Sequence, residues 1–262
     1  MKKQGLFLPL LLFYFSSLAQ TTETDTVYSS GTNDKYVIII RKPAGFSSSK
    51  KYTHVYMTDG TIGMGDYVLG KSNSWAARIP DNCIIIAIGH LGNWHEKRNR
   101  DLIPTDISKN ASTNFGKADK FYLFLKNELI PRTEKKLPNK KQRVFIGHSL
   151  GGLFCLYTVF QEDNLFDKHF ALSPSCWANQ NEIDKIEEAF SKTHSSLHAD
   201  LTISVGGLEF LNKVLFSTRS FYKTVTERKY KGLTIVKNEF ADANHFSLRK
   251  PAVDRIFDML KD

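Results

Sequence analysis

Residues 143–154, RVFIGHSLGGLF, join an apolar strand-like run to a second apolar run through a serine flanked by glycines. Gly147, Ser149 and Gly151 fit the pattern G-x-S-x-G, in which a sharp strand-to-helix turn exposes the serine hydroxyl. Such a turn has a strained backbone, and side chains two positions before and after the serine would collide in it. The turn also places the backbone N–H of Leu150 at a helix N-terminus, where it can stabilise an oxyanion. The pattern predicts that Ser149 is a nucleophile.

A serine hydroxyl is a weak nucleophile unless a base lies beside it. Where this turn occurs, the expected chain order is serine, acid, histidine. His245 follows the last strand-like run, in EFADANHFSL, and is the predicted base. Glu209, directly after LTISVGG, is the favoured acid, and Asp242, three residues before His245, is the alternative. The acid would hold the imidazole tautomer and stabilise its protonated form.

Strand-like and helical segments alternate along the chain. A continuous apolar run, NCIIIAIGH, is typical of a strand that is buried on both faces of a parallel sheet. The segment KADKFYLFLKNELIPR has apolar residues at helical spacing, and Pro131 is expected to end that helix. The alternation predicts an α/β fold with a mainly parallel central sheet and helices on both faces, in which the first one or two strands can be antiparallel. Functional groups should gather beyond the carboxyl ends of the strands.

The N-terminus has the layout of a secretory signal peptide. Two lysines precede an apolar run at 6–15, and residues 17–19 offer the small side chains that a signal peptidase reads. The apolar run is too short for a comfortable membrane span, and an uncleaved anchor is the alternative. We therefore predict a signal peptide at 1–19, one domain at 20–262, and an exported protein that is periplasmic or secreted.

The charge and the cysteine content of the chain argue against nucleic-acid-binding and metal-binding classes of protein. The net charge of +9 mildly favours anionic partners or surfaces, but no basic stripe with interleaved aromatic residues predicts nucleic-acid binding. Cys83, Cys155 and Cys176 allow at most one disulfide and leave a free thiol. Their spacing predicts no metal site. The expected partner is a small-molecule or glycan ester, and the expected assembly is a monomer or a weak homodimer.

Several segments, in order, resemble the esterase family of the α/β-hydrolase superfamily that includes siderophore esterases, feruloyl esterases and esterase D. The resemblance covers roughly residues 30 to 260. The segments that carry it are VYMTDG (55–60), RNRDLIPT (98–105), GHSLGGLF (147–154), FALSPSCWAN (170–179), VGGLE and NHFS. It implies the α/β-hydrolase fold and serine-dependent ester hydrolysis through an acyl-enzyme, without a metal or an organic cofactor. Ser149 and His245 match the family's serine and histidine positions.

The resemblance also implies roles for residues around the serine. Glu209 lies where the siderophore-esterase branch often has Gly-x-x-Glu, and the second oxyanion N–H should come from Thr61 or Ile62. The candidates for substrate binding are Arg100, Trp177 and His148. Arg100 can equally brace a loop by pairing with an aspartate, and each tryptophan, Trp75 and Trp94 included, can equally be ordinary packing. Trp177 is followed by Ala178 where relatives have a second aromatic residue, which would open one wall of the pocket.

The substrate is left open between ferric catecholate esters and feruloyl or acetyl esters of polysaccharides. Acyl transfer to an alcohol is chemically possible, because another alcohol only has to compete with water for the acyl-enzyme. A catalytically silent binding protein on the same fold is the alternative from another class. That alternative predicts a defective site, whereas the serine, the histidine and an acid candidate are present in the expected order.

Overall fold

The computed structural model describes residues 19–70, 77–104, 115–211 and 213–261. Eight strands form one sheet. They are β1 (Thr21–Ser29), β2 (Asp34–Lys42), β3 (Tyr52–Met57), β4 (Cys83–His90), β5 (Lys140–His148), β6 (Lys168–Leu172), β7 (Ser196–Gly206) and β8 (Lys231–Phe240). The strand order is β1-β2-β4-β3-β5-β6-β7-β8. β1 and β2 are antiparallel to their neighbours, and all other pairs are parallel, which confirms the predicted mainly parallel sheet.

Helices cover both faces of the sheet, as predicted. They are α1 (Met64–Val68), α2 (Trp94–Leu102), α3 (Ala118–Phe124), α4 (Ile130–Lys136), α5 (Leu150–Val159), α6 (Ala178–Ser191), α7 (Val214–Arg228) and α8 (Arg249–Met259). One apolar cluster joins alternate residues of β3, β4 and β5 to α3, α5 and α7. The intervening strand residues pack with α1 and α8 on the other face. All eight residues of β4 are buried, as its continuous apolar run predicts.

One local prediction is wrong, and one strand was not predicted. Pro131 does not end its helix, because the chain passes through a π-helical turn, Leu125–Leu129, and restarts as α4. Pro131 lies in the first turn of α4, directly after the π-helical turn, and the backbone stays helical on both sides of it. Strand β1 was not foreseen, since its sequence TTETDTVYS is polar and mostly exposed at the edge of the sheet.

The predicted signal peptide, apart from Ala19, lies outside the described residues, as does Trp75. Cys83, Cys155 and Cys176 are free thiols and are buried. None of the helices in the described ranges is long and apolar enough to cross a membrane.

Two histidines in the sheet are buried without a hydrogen bond to either ring nitrogen in the described structure: His54 on β3 and His169 on β6. Burial lowers the pKa of His54 to about 4 and that of His169 to about 3. Both rings are therefore neutral in the folded protein, whereas the unfolded chain binds protons below about pH 6.5. Because the unfolded state binds more protons there, stability should fall as the pH drops from about 6.5 toward about 4.

Replacing one of these histidines should make the stability depend less on pH. His169→Leu removes one protonating group, so the slope of unfolding free energy against pH should fall by up to about 1.4 kcal/mol per pH unit below pH 6. Urea unfolding at pH 7, 6 and 5 measures the slope, and His198→Gln, at an exposed histidine, is the matched control. Equal slopes in the wild type and His169→Leu would contradict the prediction.

Candidate active site

The serine at residue 149 sits in a tight strand-to-helix turn at the carboxyl end of β5. Its backbone is left-handed, with φ 61° and ψ −118°, and it caps the N-terminus of α5. A Cβ on Gly147 would collide with the backbone of Gly151, and a Cβ on Gly151 would collide with the Thr58 hydroxyl. The glycines two residues either side are therefore a steric requirement of this turn, as the sequence pattern predicts.

Backbone hydrogen bonds hold this serine in its strained conformation. The N–H of Ser149 donates to the carbonyl of Leu172 at 2.9 Å, and its carbonyl accepts from Leu153 at 2.9 Å and from Ser175 at 3.1 Å. In the part of the chain that the structure describes, the Ser149 hydroxyl has one hydrogen-bonding neighbour, the Oγ of Ser175 at 3.5 Å. The turn thus presents the hydroxyl beyond the sheet, next to the segment that follows β6.

A buried carboxylate orients His245. Oε2 of Glu209 lies 2.6 Å from Nδ1 of His245. The other oxygen, Oε1, accepts from the Ser173 hydroxyl at 2.5 Å and from the Gly206 N–H at 2.8 Å. Asp242, the alternative acid, is exposed, and no hydrogen bond joins it to the His245 ring in the described structure.

Two opposing effects set the pKa of Glu209. Burial of the side chain, which is 1% exposed, would by itself raise the pKa. The hydrogen bonds from His245, Ser173 and the Gly206 N–H outweigh burial, so the pKa lies below the ordinary value for glutamate. Glu209 is therefore ionised at neutral pH, and its charge faces Nδ1 of the imidazole.

His148, the residue before the serine, ties the turn to the loop that carries His245. Its Nε2 donates to the carbonyl of His245 at 2.8 Å, and the two rings lie 4.6 Å apart. Burial, followed by the charge of His245, holds the pKa of His148 well below its ordinary value. His148 is thus neutral and carries its proton on Nε2. Its predicted role in substrate binding stays a prediction.

The backbone N–H groups proposed for the oxyanion, those of Leu150 at the start of α5 and Thr61 in the loop after β3, have no acceptor among the described residues. The N–H of Ile62, the other candidate in that loop, donates to the carbonyl of Asp59 at 3.1 Å. The Thr61 side chain packs where a Cβ on Gly89 of β4 would lie. Of the two loop candidates, Thr61 is thus the one whose donor is free to bind an oxyanion.

An arginine joins this loop to the serine turn. Arg98 makes a two-pronged ion pair with Asp59, at 2.7 and 3.0 Å, and donates to the carbonyl of His148 at 3.1 Å. Asp59, the second residue after β3, has a left-handed backbone with φ 61°. Arg98 therefore fixes the positions of two backbone segments that flank the Ser149 hydroxyl.

The predicted substrate residues Arg100 and Trp177 differ in their surroundings. The Arg100 guanidinium donates to Asp101, to Asp34 and to the Tyr36 hydroxyl, so it braces α2 against β2. Trp177 follows the SPS segment and is 44% exposed. Contact of either residue with substrate stays a prediction.

Ser173, a partner of Glu209, is a site residue that the sequence did not predict. Its side chain is fully buried and its φ is 42°, unusual for a residue other than glycine. Its position in the sequence could have indicated this role, because the FALSPS segment places Ser173 at the carboxyl end of β6. Functional groups gather at the carboxyl ends of the strands in such a sheet.

Known proteins resemble this chain over most of its length. A family model described as "Putative esterase" matches residues 29–244. The chain is 26% identical to the ferri-bacillibactin esterase BesA of Bacillus subtilis over 254 residues, which cover 89% of the chain and 87% of the relative. It is 35% identical to a siderophore enterobactin esterase of Emericella nidulans over 187 residues, which cover 63% and 61%.

Among solved structures, the BES protein from Bacillus cereus superposes with a TM-score of 0.74 at 23% identity and covers 99% of both chains. At that identity the likeness shows the fold, and it agrees with the mainly parallel eight-stranded sheet. The fold prediction is therefore confirmed as an α/β-hydrolase fold. Since the family model covers most of the sequence, the chain belongs to this esterase family and is a carboxylic ester hydrolase.

Proposed function

We propose that the chain is a serine esterase, in which Ser149 is the nucleophile, His245 the general base and Glu209 the acid that orients it. One observation carries the proposal. An ionised, buried carboxylate lies 2.6 Å from His245, whose loop is bonded through His148 to the strained turn that bears Ser149. Serine-based acyl transfer requires a nucleophilic serine, a histidine base and an acid that orients the base.

In the proposed reaction, a rotation about χ1 turns the Ser149 hydroxyl from Ser175 toward Nε2 of His245. The hydroxyl attacks the ester carbonyl while the imidazole takes its proton, and Glu209 stabilises the resulting imidazolium. The Leu150 and Thr61 N–H groups donate to the oxyanion. His245 then returns the proton to the leaving alcohol, and water attacks the acyl-enzyme in a second cycle that releases the acid and restores Ser149.

The proposed substrate is a siderophore-type ester. Two relatives carry names for such reactions, on ferri-bacillibactin and on enterobactin. The net charge is +9, or +7 without Lys2 and Lys3 of the proposed signal peptide, which contains no acidic residue, and this charge suits a negatively charged substrate. We also propose that residues 1–19 are a signal peptide and that the remaining chain, 20–262, is one exported esterase domain.

A fluorophosphonate tests the activation of the serine directly. Such a reagent phosphonylates an activated serine, so mass spectrometry should find one adduct per chain, on the tryptic peptide that contains Ser149. Ser175→Ala is the matched control, because the two hydroxyl oxygens lie 3.5 Å apart. Labelling should persist in Ser175→Ala and disappear in Ser149→Ala. An adduct on Ser175, or no adduct in the wild type, would contradict the proposal.

A further inference from the structure

Arg249 lies close to the proposed base, directly after the loop that carries His245. It is the first residue of α8, and its Nε donates to the carbonyl of Phe246 at 3.1 Å. The guanidinium stands over the Phe246 ring, 5.5 Å from its centre. That ring is 67% exposed and meets the His245 ring edge-on at 5.5 Å. Arg249 and Phe246 thus form a cation-aromatic pair beside the imidazole.

The same guanidinium reaches the loop that carries Thr61. Nη1 of Arg249 lies 3.0 Å from the position that a Cβ on Gly63 would occupy. Gly63 has φ +50°, a conformation that residues with a Cβ disfavour. Glycine at this position therefore permits the backbone conformation and also leaves room for the Arg249 side chain. Arg249 therefore lies between the loop of the proposed oxyanion donor and the loop of the proposed base.

The charge of Arg249 has no ion-pair partner among the described residues, unlike the charges near it. Arg98 pairs with Asp59, and Lys250, the next residue along α8, pairs with Asp254. Asp59 already holds Arg98 with both oxygens, so it is not available as a close partner for Arg249.

The surroundings of Arg249 do not favour a bare cation. The side chain is partly buried, and burial lowers the pKa of its guanidinium, an effect that the charges of Asp59 and Asp66 oppose from a distance. A cation in the first turn of a helix is also disfavoured by the helix dipole, and the first turn of α8 contains no acidic residue. An anion bound to the Arg249 guanidinium would offset both the burial of its charge and the unfavourable interaction with the helix dipole.

We propose that Arg249, supported on Phe246, is a specificity-determining residue that binds an anionic oxygen of the ester substrate close to the scissile bond. The inference rests on the proposed roles of Ser149 and His245, which place the reacting carbonyl beside it. The planar fork of a guanidinium suits a carboxylate or a catecholate, to which it can donate two parallel hydrogen bonds. Esters whose acyl part carries a negative charge are thus the preferred class.

A pair of matched esters tests the preference. The probes are p-nitrophenyl hydrogen adipate, with an anionic acyl group whose carboxylate is too far along the chain to attack its own ester, and p-nitrophenyl hexanoate, which is neutral and of similar length. Arg249→Gln should lower the ratio of the two kcat/KM values, anionic over neutral, by about tenfold or more. Arg249→Lys should lie between it and the wild type, because it keeps the charge but loses the fork. Arg255→Gln removes an exposed charge from the same helix and should leave the ratio unchanged.

Binding separates this inference from the proposed reaction. The amides N-(4-nitrophenyl)adipamic acid and 4-nitrohexananilide match the two esters but resist esterases. Calorimetry should show that the wild type binds the anionic amide at least tenfold more tightly than Arg249→Gln does. That result, with no ester cleavage, would support the subsite and refute the reaction. The inference would be overturned by an unchanged kcat/KM ratio in Arg249→Gln. It would also be overturned if Arg249→Gln lost the same affinity for both amides, or if the wild type did not bind the anionic amide more tightly than the neutral one.

Discussion

Ser149→Ala should lower kcat for p-nitrophenyl butyrate by about 10³–10⁶-fold, since losing the nucleophile of a serine triad removes the acyl-enzyme route. The backbone at this position is held by hydrogen bonds with Leu172, Leu153 and Ser175, none of which uses the side chain of residue 149. Alanine also places its Cβ where serine does, so the turn should persist. The measurement is initial rate at equal folded concentration, with the unfolding midpoint as the control for stability.

His245→Gln should cause a loss of similar size, and combining it with Ser149→Ala should add little. Residues that act as one unit are strongly non-additive, because the second substitution removes a partner that the first has already disabled. Two independent losses that multiply in the double variant would mean that the residues act separately. A Ser149→Ala protein with more than about a tenth of the wild-type rate would place the nucleophile elsewhere.

Those parts of the fold that local chemistry determines could be predicted from the sequence. The run CIIIAIGH has no polar side chain until its final histidine, and it forms a strand buried along its whole length. The spacing of Gly147 and Gly151 around Ser149 predicts the turn, because a Cβ on Gly147 would clash with the backbone of Gly151, only four residues away. The parallel sheet then follows from the alternation of strands and helices.

The features that sequence reasoning missed depend on contacts between distant segments. Strand β1 is polar and gains its order by pairing with β2 along its whole length, which its own composition does not predict. The Ser173 hydroxyl meets Glu209, 36 residues away, only because β6 and β7 lie side by side. Arg98 finds Asp59 across the carboxyl end of the sheet in the same way. The segments that contain these residues can be recognised in the sequence, but no period or motif specifies which side chains pair.

The choice between Glu209 and Asp242 shows the same limit. Both carboxylates are plausible from the sequence, because each belongs to a loop at the carboxyl end of a strand. In the structure Glu209 is buried against His245 and receives two further hydrogen bonds, whereas Asp242 is exposed. We therefore expect very different effects when each is replaced by its amide.

Glu209→Gln should lower kcat by about 10²–10⁴-fold, while Asp242→Asn should leave it within about threefold. The Ser173 hydroxyl and the Gly206 N–H both donate to Oε1, so the amide oxygen of a glutamine will stay at that position. Its NH₂ group must then face Nδ1 of His245 and donate to it. That contact favours the tautomer protonated on Nε2, which cannot accept the Ser149 proton. Initial rates on p-nitrophenyl butyrate measure both variants.

Glu209→Ala separates the wrong tautomer from the loss of negative charge. Alanine removes the carboxylate without supplying an NH₂ group, so His245 can still adopt the reactive tautomer, and Glu209→Ala should retain more activity than Glu209→Gln. Equal losses in the two variants would mean that charge alone matters, and that Ser173 and Gly206 only hold the carboxylate in place. Should Asp242→Asn prove the slower enzyme, the loop between β8 and α8 must rearrange during the reaction, and the acid would be Asp242.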